Sequence, residues 1–79
     1  MNDALGNEIV IGSKYGFSRN KNGFHFITIG EAIKTNELSG RVTLKILQRF
    51  KSEQSQNPKE DFNFKKETSC MSFILFKIN

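Results

Sequence analysis

Tyr15, Phe17, Phe24 and Phe26 stand on either side of an Arg19-Asn-Lys-Asn-Gly23 segment. One residue separates the members of each pair, so on a strand both rings of a pair leave the same face. Rings beside cations can do two different things. They can stack on nucleic-acid bases while the cations neutralise phosphate, or they can form a small core. Further along, Arg41, Lys45, Arg49 and Lys51 recur at even separations, which puts all four on one side of an extended strand. With Lys21 they are the candidate phosphate contacts, and Tyr15, Phe17, Phe24 and Phe26 the candidate stacking rings. The same stripe also suits a solvated sheet face, or an edge strand whose lysines discourage aggregation.

Other chemistry lacks the residues it needs. His25 is the only histidine and Cys70 the only cysteine, which excludes an internal disulfide and a zinc site of the usual spacing. Cys70 lies in an apolar run, where thiols are commonly buried and inert. The acids Glu31, Glu37, Glu53, Glu60, Asp61 and Glu67 are scattered without catalytic spacing, and no phosphate loop, dinucleotide fingerprint or metal motif is present. The expectation is a protein that is not an enzyme and uses no cofactor.

The stretch Lys21-Asn-Gly-Phe-His-Phe-Ile27 resembles the Lys-Gly-Phe-Gly-Phe-Ile strand of cold-shock domains, a motif of the RNP1 type. Gly23, Phe24, Phe26 and Ile27 match in type, and His25 replaces the inner glycine. The resemblance implies base stacking on Phe24 and Phe26. It covers only this stretch. The second aromatic motif of those domains is missing, and a different hairpin follows.

The elements that would position these residues are strands. Eight Ile and eight Phe against two Ala favour sheet over helix. Residues 1–7 are polar and are expected to fray. A first strand is expected from Glu8, with Ile9, Ile11, Tyr15 and Phe17 on one face. Asn22-Gly23 is a hairpin turn signal, because tight hairpins need positive φ. A second strand follows over about 24–34, with Gly30 as a bulge or kink. Ser39-Gly40 marks the next turn, and a third strand runs from Arg41 to about Phe50.

Two registers are open between the second and third strands. In the first, Ile27, Ile29 and Ile33 share a core face with Val42, Leu44, Ile46 and Phe50. The other side then carries Phe24, Phe26 and Thr28 beside Lys45, Arg49 and Lys51. In the second, Glu31 stands opposite Lys45 and both faces are mixed. The first separates apolar from basic residues more cleanly and is preferred.

Residues 52–61 are polar, contain the only proline and read as a flexible loop. From Cys70 to Ile78 both strand faces are apolar. In so small a chain this points to a subunit interface carried by Met71, Phe73 and Leu75, and so to a homo-oligomer or a protein partner, with a barrel covered by the long loop as the internal alternative.

The 79 residues suffice for one small domain. The expected class is all-β, a four- to five-stranded antiparallel meander or barrel, OB-like or SH3-like, with completion by a partner subunit as the alternative. A net charge of +4 suits an acidic partner. The start of the chain lacks the features of a signal peptide, and no apolar run is long enough to span a bilayer, so a cytoplasmic location is expected. Two functions follow. One is single-stranded DNA or RNA binding through an aromatic and basic sheet face. The other is a protein-binding role of the phage or mobile-element type, as an inhibitor or small structural component acting through the C-terminal strand.

Overall fold

The fold is a curled, all-antiparallel sheet. The computed structural model describes residues 1–53, 57–62 and 64–78. Strand β1 spans Lys14–Lys21, β2 Phe24–Asn36, β3 Arg41–Glu53, β4 Lys59–Glu60, β5 Glu67–Met71 and β6 Phe76–Ile78. The order is β4-β3-β2-β1-β6, with β5 also paired to β3. A 3-10 turn over Ser72–Ile74 separates β5 from β6. The C-terminal segment therefore leaves one edge of the meander at β3 and joins the other at β1, which curls the sheet into a barrel-like shape.

The hairpin joining β1 and β2 has the expected chemistry. Asn22 and Gly23 both adopt positive φ, 52° and 80°, so a two-residue turn closes directly on the Lys21–Phe24 pair. Two positive-φ residues match the right-handed twist of the flanking strands. Between β2 and β3, Gly40 takes a φ of 70° and its carbonyl accepts the Ser72 N–H at 3.0 Å.

The register of β2 against β3 differs from the preferred reading. Two bulges interrupt the ladder. Ile29 pairs with Gln48 while Gly30 pairs with Ile46, which leaves Leu47 as the extra residue. A bulge of one residue inverts the alternation beyond it. Toward the hairpin tip, Phe26 faces Lys51 and Thr28 faces Arg49. Toward the other end, Glu31 faces Lys45. Both registers therefore occur in the same strand pair, one on each side of Leu47. Gly30 is required at this bulge: a side-chain carbon there would sit 2.8 Å from the Lys45 carbonyl oxygen and 3.0 Å from Leu44 Cβ.

The core follows from this inversion. It consists of Tyr15, Phe17, Ala32, Val42, Leu44, Cys70 and Leu75, with Ile9 at its edge. Val42 and Leu44 thus lie on the same face as Phe26 and Arg49, not on that of Ile27 and Ile29. Val42 and Leu44 are in the core as expected, but the β2 residues expected to share their face lie on the outer side, where Ile27 and Ile33 are exposed. On that outer face Lys14, Glu31, Lys45 and Glu67 stand side by side on β1, β2, β3 and β5, a row of alternating charge. Opposite charges in register favour this pairing over its slips.

The N-terminal residues are ordered, and no strand begins at Glu8. Asp3 is buried, and its Oδ1 accepts the N–H groups of Leu5 at 2.9 Å and Asn7 at 3.0 Å. Ala4 donates to the Leu75 carbonyl at 2.9 Å, and Ile9 to that of Met1 at 3.0 Å. Val10 donates to the Tyr15 hydroxyl at 2.9 Å. Gly12, with a φ of 91°, turns the chain into β1. Of the expected loop over 52–61, residues 52–53 extend β3 and 59–60 form β4, while 54–56 lie outside the described residues.

Candidate nucleic-acid interface

The inner face of the sheet has two halves. The half near β6 is the apolar core, and the half near the hairpin tip carries rings and cations. Strand pairing assembles the second half: Arg19 is opposite Phe26, Lys21 opposite Phe24, Phe26 opposite Lys51 and Thr28 opposite Arg49. Partners in register project to the same side, so residues from three strands meet on one surface.

The rings and cations are layered. The Arg49 guanidinium carbon lies 4.3 Å from the Phe26 ring centre, and Lys51 Nζ lies 4.2 Å from that of Phe24. Arg19 covers Phe17 at 5.0 Å. The Phe24 and Phe26 rings are 6.4 Å apart and tilted by 50°. Each cation is attracted to the negative face of its ring, an interaction of about 0.5–1 kcal/mol at exposed sites and about 2 when desolvated. The outermost layer over these ring faces is therefore cationic. A flat ligand meets guanidinium planes as well as aromatic ones, and both can carry stacked bases.

Beside this layer lies a groove of about 630 Å³ between the first hairpin and residues 64–68. Phe17, Phe26 and Phe64 line it, with Arg19, Lys21, Arg49 and Lys65 around them. Glu67 is the one acid among its described lining residues, and in the β3–β5 ladder it stands opposite Lys45. Arg19 spans from β1 to β5, where its Nη2 donates to the Ser69 carbonyl at 3.3 Å. Arg49 Nε lies 3.7 Å from Asp61 Oδ2, and the Asp61 N–H donates to the Arg49 carbonyl at 2.7 Å.

The structure brings together only part of the residue set picked out in the sequence. Phe24, Phe26, Lys21, Arg49 and Lys51 share the surface just described. Tyr15 is fully buried and Phe17 nearly so, at 5% exposure. Tyr15 is a core residue and Phe17 the floor of the groove, so neither offers an open stacking face. Arg41 and Lys45 project from the outer face, because the Leu47 bulge splits the cationic stripe into two pairs on opposite sides. Of the residues expected at an interface, Leu75 is fully buried and Met71 partly so, whereas Phe73 is 62% exposed. The 3-10 turn is the reason. It breaks the period-2 pattern, so Cys70 and Leu75 both turn inward despite their odd separation.

Arg19, Phe64 and Lys65 belong to the groove and are absent from the set read from the sequence. Arg19 was legible, since it follows Phe17 by two residues and so shares its face. Phe64 and Lys65 belong to a short Phe62-Asn-Phe-Lys65 alternation that reads as a strand, but neither residue lies in a strand, and nothing local ties them to the first hairpin. His25 is on the outer face, with Asn20 Oδ1 as hydrogen-bond partner of its Nδ1. Burial pushes the Cys70 thiol above its ordinary value, although Arg19 and Arg41 oppose the shift. No helix among the described residues is long and apolar enough to cross a membrane. No protein-family model, curated protein or solved structure matches the chain.

Proposed function

We propose that the protein binds single-stranded nucleic acid in the groove beside Phe26 and Arg49. The observation that carries this reading is the coincidence of ring-backed cations with a groove whose described lining holds four cations and one acid. Bases stack on Phe26, Phe64 and the guanidinium planes, and Lys21, Lys51 and Lys65 neutralise phosphates. Duplex grooves have no role in this arrangement, since the site is a recess that receives unpaired bases rather than a projecting element.

Fluorescence anisotropy with short labelled DNA and RNA single strands tests it. Binding that weakens steeply with salt, and weakens again in Phe26→Ala, is the expected result. Absence of binding at low salt to any single strand contradicts the reading.

A second reading, protein binding through the C-terminal segment, has one observation in its favour. Phe73 and Phe76, 62% and 53% exposed, flank the buried Leu75 at one end of the sheet. Light scattering tests its self-association form. A two-chain mass that falls to one chain in Phe73→Asp supports it, and a one-chain mass for the unaltered protein contradicts it.

A further inference from the structure

We infer that the groove prefers guanine, and that Arg49 is the residue that reads it. The inference rests on the nucleic-acid reading above and narrows it.

Arg49 differs from the groove lysines in how it is held, and from Arg19, which also lies over a ring, in that Arg19 already donates its Nη2 to the Ser69 carbonyl. Its guanidinium is stacked 4.3 Å over Phe26, and its side chain is only 27% exposed. Its Nε side is taken by Asp61, 3.7 Å away. Asp61 is itself tied to the same residue through its N–H bond to the Arg49 carbonyl. Lys21 and Lys65, by contrast, are exposed ammonium groups on flexible stems. They suit phosphate, which asks for charge more than for direction.

With the Phe26 ring beneath its Cζ and the acid on its Nε side, Arg49 keeps its Nη1 and Nη2 edge for a ligand. Among the described residues these two nitrogens have no hydrogen-bond partner. They form a pair of parallel donors, which calls for two adjacent acceptors. Guanine presents such a pair, O6 and N7, on one edge. Adenine offers N7 beside an N6 donor, cytosine a donor at N4, and thymine or uracil a single O4 acceptor.

A phosphate also presents two acceptors, and guanidinium binds it well. At Arg49, however, a phosphate would approach a guanidinium that already has the Asp61 carboxylate 3.7 Å away. Asp61 repels a second anion there but does not repel a neutral base edge. The acid beside Arg49 therefore turns this cation from a phosphate contact into a base contact, while Lys21, Lys51 and Lys65 keep the backbone.

Anisotropy with three labelled strands decides the matter: an oligothymidine, the same strand with two central guanines, and the same strand with two central adenines. The unaltered protein should bind the guanine strand about tenfold more tightly than the other two, within the range of about 5- to 150-fold for one bidentate base contact. Arg49→Lys should lose this preference and keep salt-dependent binding to all three. Asp61→Asn should raise affinity for oligothymidine and narrow the preference. Equal binding of the three strands by the unaltered protein overturns the inference and leaves the nucleic-acid reading intact. Failure to bind any of them overturns both.

Discussion

The Arg49 guanidinium carbon lies 4.3 Å from the centre of the Phe26 ring, across the end of the β2–β3 ladder that precedes both bulges. This stack is the meeting point of the fold and the proposed function. It forms because Leu47 is the extra residue of a bulge, which turns Arg49 to the inner face while Lys45 stays on the outer one.

Replacing Phe26 by leucine keeps an apolar side chain of similar bulk and removes both the ring under Arg49 and the stacking surface. Single-strand affinity should fall by about 1–3 kcal/mol, the usual worth of one stacked base. Because Phe26 is only half-buried, the melting temperature should move by a few degrees at most. A large melting shift with unchanged affinity would make Phe26 a packing residue alone.

The split of the basic stripe gives a controlled comparison. Lys21→Ala removes a groove cation, so the slope of log affinity against log salt should shrink by about 0.7, the value for one phosphate contact on a single strand. Lys45→Ala should leave the slope unchanged, because Lys45 lies between Glu31 and Glu67 on the outer face. Equal effects of the two substitutions would mean that both faces of the sheet take part.

These expectations depend on how much of the fold could be read in the chain. The strands around Asn22-Gly23 were legible, because positive φ at a two-residue turn is a local requirement that Asn-Gly meets. The Phe24–Phe26 pair beside Arg49 and Lys51 was also legible, since short strand segments obey period 2. What period 2 could not carry was the stretch across Leu47. Nothing in Ile46-Leu-Gln-Arg49 marks an extra residue, and Gly30 signals a bulge without fixing which residue of the facing strand is added. The core was therefore assigned to the wrong face of β2, and the four cations to one side. The C-terminal segment was misread for a related reason. Its apolar residues fit a continuous strand, and only pairing to two different edges, with a 3-10 turn between, explains why Leu75 is buried and Phe73 is not.

Gly30→Ala tests the bulge directly. The added carbon meets the Lys45 carbonyl and Leu44, and overpacking of this kind costs about 1–3 kcal/mol. Chemical denaturation should show a lower midpoint. A midpoint equal to that of the unaltered protein would mean that the strands part at no cost, and that the bulge does not depend on glycine.

Cys70 provides a pH test of the core. Burial raises its thiol pKa on folding, so the folded chain holds this proton more tightly than the unfolded chain. Its contribution to stability is complete below the ordinary thiol value and is lost as pH climbs through the raised one. Cys70→Ala should flatten the alkaline fall in stability. In the native protein the thiol should react with a soluble disulfide reagent only as fast as the fold opens. Rapid labelling under native conditions would contradict its placement in the core.

The most direct test of the central claim is an amide chemical-shift map recorded while a guanine-containing single strand is added. Shifts should concentrate at Arg19, Phe26, Thr28, Arg49, Phe64 and Lys65, with Arg41 and Lys45 unmoved. A saturating strand that leaves the groove amides in place, or that moves only the Phe73 and Phe76 end, would contradict the account.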